Sequence, residues 1–191
     1  SALPARSEMC IRDSDQENAY GRGQAAPRRQ RHNLNVTVLG LGPIGQHVAT
    51  GLARFGFSVK AWSRTQHACK GVTTLSGSEN LALAAAEADV LINLLPLVPE
   101  TENILSATLF VQLSPDAYVA NLGRGRHLDE DALIAALDEG RIGASWLDAF
   151  RQEPLPADHR FWRHPKIRIS SHVAALPTIE GSSQALADSI K

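Results

Sequence analysis

Cysteine is scarce in this sequence of 191 residues, which contains only Cys10 and Cys69. Their spacing matches no metal-binding pattern, and two isolated cysteines give no disulfide framework. The sequence therefore predicts neither a metal site nor a domain stabilised by disulfides. Because free cysteines persist in reducing compartments, we expect a cytoplasmic protein.

A strong charge of either sign and a long apolar run are also missing. The 19 lysines and arginines nearly balance the 20 aspartates and glutamates, which gives a formal net charge of -1. The arginines are scattered, so no basic patch indicates binding to nucleic acid or to an anionic membrane. The apolar stretches are too short and too interrupted to span a bilayer, and no signal peptide is visible. We therefore expect a globular protein with no nucleic acid and no membrane as a partner.

Residues 1–33 differ in composition from the rest of the chain. They mix Arg, Gln, Ser, Asp and Gly and have no apolar periodicity, so we expect them to contribute little to a core. Two interpretations are open. The segment is either a disordered tail or an artefact, since residues 7–14 resemble a translated sequencing adapter. Both interpretations place it outside the fold.

From residue 34 onward, strand patterns alternate with helical patterns. Short apolar runs predict strands at 36–39, 57–62, 89–95, 117–120, 143–147 and 167–170. Helical periodicity and capping residues predict helices at 44–55, 81–87, 101–113 (with breaks) and 129–140. Strands that alternate with helices require a parallel sheet with right-handed crossovers. The predicted fold class is therefore α/β, a doubly wound parallel sheet of the Rossmann type.

A glycine pattern separates the first predicted strand from the first predicted helix. Gly40 allows the tight turn, Gly42 lets the backbone approach a pyrophosphate, and Gly45 lets the helix pack on the strand. Pro43 and Ile44 lie inside the pattern, where the free N–H groups of the helix would bind phosphate. The pattern favours a dinucleotide site. A simple strand-to-helix turn and a methyltransferase-like nucleoside site are the alternatives.

The end of the second predicted strand decides which dinucleotide is expected. An NAD site usually has an acidic residue there, but this chain has Trp62, Ser63, Arg64 and Thr65. Arg64 offers donors that match a 2′-phosphate, and the two hydroxyl side chains can add to them. We predict NADP(H) as the preferred cofactor, with NAD(H) possible. The alternative is a solvated turn with an exposed arginine.

Three further residues have the chemistry that a 2-oxo acid reductase needs. Arg124, which has glycine on both sides, follows a predicted strand, where it could bind a carboxylate and polarise the adjacent carbonyl. His172 follows the last predicted strand and could act as the general acid. Glu153 is the candidate that orients its imidazole. Taken singly, a surface arginine, a structural histidine and an ordinary loop glutamate are the alternatives.

Taken together, these segments resemble a known family. From about residue 34 to 190 the chain is similar to the D-isomer-specific 2-hydroxyacid dehydrogenases, in particular to the glyoxylate/hydroxypyruvate reductase A branch. The segments that carry the resemblance are VLGLGPIG at 38–45, WSRT at 62–65, LINLLP at 91–96, PET at 99–101, NLGRG at 121–125, LDAF at 147–150, EPLP at 153–156 and HVAA at 172–175.

The resemblance implies an oxidoreductase that reduces glyoxylate or hydroxypyruvate with NADPH, and a homodimer formed through the cofactor domain. It implies that Arg124, Glu153 and His172 are the catalytic residues. It also implies a cofactor cleft lined by Leu95, Pro96, Thr101, Asn121, Leu122, Gly123 and Asp148.

The family also has parts that this chain does not match. Its members carry a substrate domain ahead of the glycine loop and a long helix after the last strand. We therefore expect a dinucleotide-binding domain at 34–176, the start of a truncated C-terminal helix at 177–191, and a largely missing substrate domain. A non-catalytic dinucleotide-binding fragment and an NAD-dependent 2-hydroxyacid dehydrogenase with a different substrate are the alternative functions.

Overall fold

A computed structural model describes residues 34–174. The predicted N-terminal segment 1–33, the last two residues of the predicted domain 34–176 and the predicted helix at 177–191 lie outside these residues. The described strands are β1 (Asn35–Leu39), β2 (Ser58–Ser63), β3 (Thr73–Ser76), β4 (Val90–Asn93), β5 (Ala117–Asn121), β6 (Ile142–Leu147) and β7 (Ile167–Ile169). The α-helices are α1 (Pro43–Arg54), α2 (Leu81–Ala85), α3 (Ala107–Phe110) and α4 (Glu130–Asp138).

All seven strands form one parallel sheet in the order β3-β2-β1-β4-β5-β6-β7. The chain starts in the middle, builds outward through β2 and β3, and then returns to the other side of β1 at β4. The predicted doubly wound fold class is confirmed. In such sheets the reversal of strand order opens a crevice at the carboxyl ends of the strands, here those of β1 and β4.

Two apolar clusters cover the two faces of the sheet. Val38 belongs to the cluster that includes Ala49 of α1, whereas its neighbour Leu39 belongs to the larger cluster with Phe110 and Leu137. Successive residues of a strand point to opposite faces, so a helix layer packs on each side. Because both faces of the sheet are packed, the positions of the strand ends are fixed, and so are the first residues of the loops that follow them.

Two sequence predictions need correction. Strand β3 was missed, because Thr73–Ser76 is a short, polar edge strand without a buried apolar run. The predicted helix 101–113 is reduced to a 3-10 turn at Pro99–Thr101 and the four-residue α3. The Thr101 hydroxyl accepts from the Val98 amide at 3.0 Å and donates to the Pro96 carbonyl at 2.9 Å, so it stabilises a tight turn rather than a continuing helix.

Among the described residues, no helix is long and apolar enough to cross a membrane. Within residues 34–174 there is also no group of three or more His, Cys, Asp or Glu side chains placed to hold a metal ion.

Candidate active site

The three glycines of the loop between β1 and α1 meet three different surroundings. Gly40 has φ +102°, and a Cβ there would lie 2.9 Å from the Leu94 carbonyl oxygen. A Cβ on Gly45 would lie 1.8 Å from the Gly40 oxygen, so helix and loop are in direct backbone contact. A Cβ on Gly42 would meet nothing within 4 Å. The loop is therefore closed against the protein at Gly40 and Gly45 and open at Gly42.

The amino end of α1 is free to bind an anion. Gly42 is its N-cap and Pro43 occupies the first turn, with no side-chain cap and no acidic residue in that turn. Gly42, Pro43 and Ile44 are all exposed. The N–H groups of the first turn, which no side chain caps, and the dipole of this 12-residue helix suit a pyrophosphate, and the first turn itself supplies no competing carboxylate.

The residues at the end of β2 divide into an inner and an outer pair. Trp62 is buried and its indole N–H donates to the Gly77 carbonyl at 2.8 Å, while the Ser63 hydroxyl donates to the Thr65 carbonyl at 2.7 Å. Arg64 and Thr65 are exposed. Trp62 pairs in register with Leu39, so Arg64 follows at the same sheet edge as the glycine loop. Among the described residues no carboxylate pairs with Arg64, so its guanidinium is available to a ligand.

The loop after β4 forms the opposite wall of the crevice. Leu95 is buried and its amide donates to the Asn93 side chain at 3.3 Å, whereas Pro96 is exposed. Thr101 is buried beneath the loop and holds its turn through the contacts described above. The structure thus brings the predicted residues Leu95, Pro96 and Thr101 into one segment next to the glycine loop.

A buried polar network, which we call the amide–imidazole network, joins the ends of β4 and β5. It consists of Asn93, Asn121 and His127, all with no exposed surface. The Asn93 amide nitrogen donates to Asn121 Oδ1 at 2.9 Å and to His127 Nδ1 at 2.9 Å. Asn93 and Asn121 are direct partners in the β4–β5 register, which is why their side chains meet.

Sequence reasoning missed Asn93 and His127 as site residues. Asn93 terminates an otherwise apolar buried strand, and a polar residue at that position was the available signal. His127 had no sequence signal of its own, because its role depends on the pairing of β4 with β5.

The backbone of Arg124 is held on both sides by side chains of this network. Its N–H donates to His127 Nδ1 at 3.0 Å, and its carbonyl accepts from Asn121 Nδ2 at 3.0 Å. A Cβ on Gly123 would lie 2.8 Å from His127 Nδ1, and one on Gly125 would lie 1.9 Å from the Phe150 carbonyl carbon. The glycines beside Arg124 thus permit close packing of protein groups. Leu122 is half-buried between the strand and this turn.

The guanidinium of Arg124 remains exposed above this fixed backbone. Its Nη1 donates to the Gly123 carbonyl at 3.0 Å, which leaves the other donors of the fork for a ligand.

Glu153 and His172 form a hydrogen-bonded pair with His172 Nδ1 3.0 Å from Glu153 Oε2. The other oxygen of Glu153 accepts from the Phe150 amide at 3.0 Å, and the Glu153–Pro154 bond is cis. Burial acts to raise the pKa of Glu153. The Phe150 amide, the hydrogen bond and charge of His172 and the charge of Arg124 outweigh burial and hold that pKa below its usual value. The carboxylate is therefore ionised at neutral pH and accepts the Nδ1 proton, which leaves His172 Nε2 for proton exchange.

Asp148 fixes the backbone that presents His172. Its carboxylate accepts from the Ser170 hydroxyl and from the amides of Val173 at 3.0 Å and Ala174 at 2.9 Å. Burial acts to raise its pKa, but these donors and the charge of His172 lower it overall. The His172 amide donates to the Asp148 carbonyl at 2.9 Å, and His172 has φ +56°. Asp148 was predicted to line the cofactor cleft; here its carboxylate is used by the loop itself.

The catalytic candidates lie along one edge of the sheet. Asn121 of β5, Leu147 of β6 and Ile169 of β7 are in register, and Arg124, Glu153 and His172 follow these three strand ends. The charge of Arg124 acts on Glu153, which agrees with their proximity. A cation, a carboxylate and an imidazole with one free nitrogen thus share the edge that also carries the glycine loop.

Comparison with known proteins places this geometry in a family. The profile of the D-isomer-specific 2-hydroxyacid dehydrogenase NAD-binding domain matches residues 5–174. The chain is 44% identical over 161 residues to glyoxylate/hydroxypyruvate reductase A of Serratia proteamaculans, covering 84% of this chain and 51% of that protein. It therefore spans about half the length of the curated relatives it matches.

Two solved structures show the same similarity. A D-isomer-specific 2-hydroxyacid dehydrogenase of Xanthobacter autotrophicus, in complex with NADPH and MES, superposes with a TM-score of 0.86 at 34% identity and covers 94% of this chain and 74% of that one. An NADPH-dependent glyoxylate/hydroxypyruvate reductase of Sinorhizobium meliloti, in complex with NADP and sulfate, gives a TM-score of 0.80 at 32% identity and covers 95% and 60%.

Proposed function

The chain belongs to the D-isomer-specific 2-hydroxyacid dehydrogenases, and we propose that it is the cofactor-binding part of an enzyme that uses NADPH to reduce glyoxylate or hydroxypyruvate. The observation that carries this proposal is the hydrogen bond between His172 Nδ1 and Glu153 Oε2 at 3.0 Å, on the sheet edge that also carries Arg124. The pair leaves one imidazole nitrogen free to deliver a proton beside a fixed cation.

Arg124 binds and polarises the substrate in this proposal. A guanidinium can form two parallel hydrogen bonds to the carboxylate of a 2-oxo acid, or can share its donors between carboxylate and carbonyl oxygen. Because its backbone is held at both the N–H and the carbonyl, the side chain starts from a fixed point. Charge that develops on the carbonyl oxygen is then stabilised by a donor already in place.

His172 supplies the proton. When bound, NADPH supplies the hydride that reduces the carbonyl carbon. The imidazolium of His172 gives its Nε2 proton to the carbonyl oxygen, and the product is the 2-hydroxy acid. The neutral imidazole keeps the proton on Nδ1, where it is hydrogen-bonded to Glu153, and Nε2 takes up a new proton from solvent.

The preference for NADP(H) over NAD(H) is part of the proposal. It is supported by the exposed Arg64, by the lack of a carboxylate at the end of β2, and by the two relatives whose structures hold NADPH and NADP. The open face of Gly42 and the uncapped end of α1 are compatible with the pyrophosphate. We also propose that the enzyme works in the cytoplasm and that it is a homodimer. Light scattering of the purified chain would test the dimer.

A non-catalytic dinucleotide-binding module is the second candidate. The observation that favours it is the exposure of the catalytic pair, since the side chains of His172 and Glu153 are 46% and 40% exposed. Reduction by hydride transfer benefits from a site that excludes water, which these residues do not supply alone.

One assay separates the two functions. The chain is titrated with NADPH, and glyoxylate is then added while the nicotinamide absorbance is followed. Binding followed by glyoxylate-dependent oxidation supports the reductase. Binding without oxidation supports the module, and the absence of binding contradicts both.

A further inference from the structure

His127 is the most buried titratable side chain near the proposed active site, and the proposed chemistry does not use it. The imidazole has no exposed surface, and its Nδ1 is approached by two groups, the Arg124 amide at 3.0 Å and the Asn93 amide nitrogen at 2.9 Å. Its Nε2 makes no hydrogen bond within 3.5 Å among the described residues, and the Pro96 carbonyl is the backbone acceptor that acts on the ring. A buried imidazole with both nitrogens directed at backbone groups is a built feature that the proposed chemistry leaves unexplained.

The partners of Nδ1 determine the protonation state of the ring. A backbone N–H can only donate, so Nδ1 must offer a lone pair to Arg124. His127 is therefore neutral and carries its proton on Nε2. Burial lowers its pKa, the nearby Pro96 carbonyl partly opposes this, and the charge of Arg124 lowers it further, so the neutral form is also favoured energetically.

The orientation of Asn93 follows from the same argument. Its Nδ2 must be the group that donates to His127 Nδ1 and to Asn121 Oδ1, which leaves its Oδ1 to accept from the Leu95 amide at 3.3 Å. Asn121 then uses its own Nδ2 to donate to the Arg124 carbonyl. Each side-chain amide of the amide–imidazole network has one possible orientation, and the backbone groups that the network contacts belong to Gly123, to Arg124 or to the loop after β4.

We propose that His127 is a positioning residue for Arg124, acting as a neutral hydrogen-bond acceptor that fixes the Arg124 backbone and hence the direction of the guanidinium. The inference rests on the proposed function, because it assigns His127 to the substrate-binding arginine of that function. His127 does not touch the substrate. Its Nδ1 accepts from the Arg124 amide at 3.0 Å, so the neutral ring holds the backbone from which the guanidinium extends.

The first test is spectroscopic and uses the unmodified chain. In ¹⁵N-labelled protein at neutral pH, His127 should show the nitrogen shifts of the neutral Nε2–H tautomer. A scalar coupling across the hydrogen bond should join His127 Nδ1 to the Arg124 amide nitrogen. A charged ring, or a ring protonated on Nδ1, would overturn the inference without any variant having to fold.

The second test compares two substitutions at this position. His127→Leu removes the acceptor and keeps similar bulk, whereas His127→Asn places an amide oxygen near the position of Nδ1. We expect His127→Leu to shift the Arg124 Nε–H signal and to lower kcat/KM for glyoxylate by up to about 10²-fold, with NADPH affinity unchanged. His127→Asn should restore most of the kcat/KM and bring the Arg124 Nε–H signal back close to its original position. His47→Leu, at an exposed histidine of α1, is the matched control and should change neither quantity.

The outcomes distinguish the inference from the proposed function. If the unmodified chain binds NADPH but does not oxidise it with glyoxylate, the proposed function fails for this chain. In that case the NMR signal of Arg124 Nε–H, compared between the unmodified chain and the variants, still tests whether His127 positions Arg124. An unchanged signal in His127→Leu, or equal losses in the Leu and Asn variants, would overturn it.

Discussion

The two nitrogens of the His172 imidazole have different surroundings among the described residues. Nδ1 is hydrogen-bonded to Glu153, whereas Nε2 is left for proton exchange. Because Glu153 Oε2 lies 3.0 Å from Nδ1, the Nδ1 proton is held by the carboxylate, and in the proposed function the transferred proton comes from Nε2. We predict that His172→Gln lowers kcat for glyoxylate by about 10²–10⁴-fold, because the variant keeps polar contacts but has no acid to donate the proton. Steady-state kinetics measures this, and an NADPH titration of the same variant should give an unchanged affinity. Equal kcat in the two proteins would remove His172 from the mechanism.

Arg64 is the residue on which the proposed cofactor preference depends. It is exposed at the end of β2 and has no carboxylate partner among the described residues. We predict that Arg64→Ala weakens NADPH binding about 10-fold or more, because charge-assisted hydrogen bonds to the 2′-phosphate are lost. NADH binding should be unaffected, since NADH has no phosphate at that position. Fluorescence titration with both cofactors measures the ratio, and Arg54→Ala, an exposed arginine at the other end of α1, serves as the control. A ratio that Arg64→Ala does not change would contradict the assignment.

At the scale of elements, the turn from β1 to α1 contains one glycine that the fold requires, Gly45, and one that faces open space, Gly42. A Cβ on Gly45 would lie 1.8 Å from the Gly40 oxygen, whereas one on Gly42 would meet nothing within 4 Å. We predict that Gly45→Ala destabilises the domain by about 1–3 kcal/mol or more, because helix and loop must separate. Gly42→Ala should leave the unfolding free energy nearly unchanged but weaken NADPH binding, because its methyl group occupies the open face. Denaturant unfolding and cofactor titration of both variants check this, and the opposite pattern would contradict it.

The same elements show how far sequence alone could go. The strands with continuous apolar runs were predicted, because burial on both faces of a parallel sheet leaves a clear pattern. Strand β3 has no such run, since it lies at the sheet edge and is polar. The 101–113 helix prediction failed in part because a single hydroxyl, that of Thr101, stabilises a turn that competes with the helix.

The site could be predicted where a residue has a local signal or lies in a segment that carries the family resemblance. Glycines, an arginine between glycines and a histidine after a strand can be recognised one at a time. Asn93 and His127 could not be recognised in this way, because their contacts arise from the register that pairs Asn93 with Asn121. Asp148 was named through the family resemblance, but the contact of its carboxylate with a loop more than 20 residues further along the chain was not foreseen.

At the scale of the whole domain, the buried His127 makes the free energy of unfolding depend on pH. Its pKa is lowered from 6.5 in the folded state, so below pH 6.5 the unfolded chain binds a proton that the folded chain resists. Stability from this residue is present above pH 6.5 and is lost as the pH falls toward the folded pKa. We predict that the unfolding free energy falls on acidification below pH 6.5 and that His127→Asn reduces this slope.

Two carboxylates contribute to acid sensitivity in a separate pH range. The lowered pKa values of Glu153 and Asp148 give stability that is present above their unfolded values of 4.5 and 3.8 and is lost below them. Urea unfolding between pH 5 and 7 (about the range in which histidines titrate) therefore avoids the two carboxylates, and the difference between the parent chain and His127→Asn separates His127 from the other six histidines. An equal slope in the parent chain and in His127→Asn would contradict the buried neutral imidazole.

For the whole molecule, the proposed function requires that hydride pass from bound NADPH to a 2-oxo acid at the edge formed by β5, β6 and β7. The most direct measurement uses NADPH with deuterium at both C4 positions and glyoxylate, followed by mass spectrometry of the product. The proposed function predicts glycolate that carries deuterium, formed by the unmodified protein and strongly reduced in His172→Gln. Full occupancy by NADPH with no deuterated glycolate would contradict it.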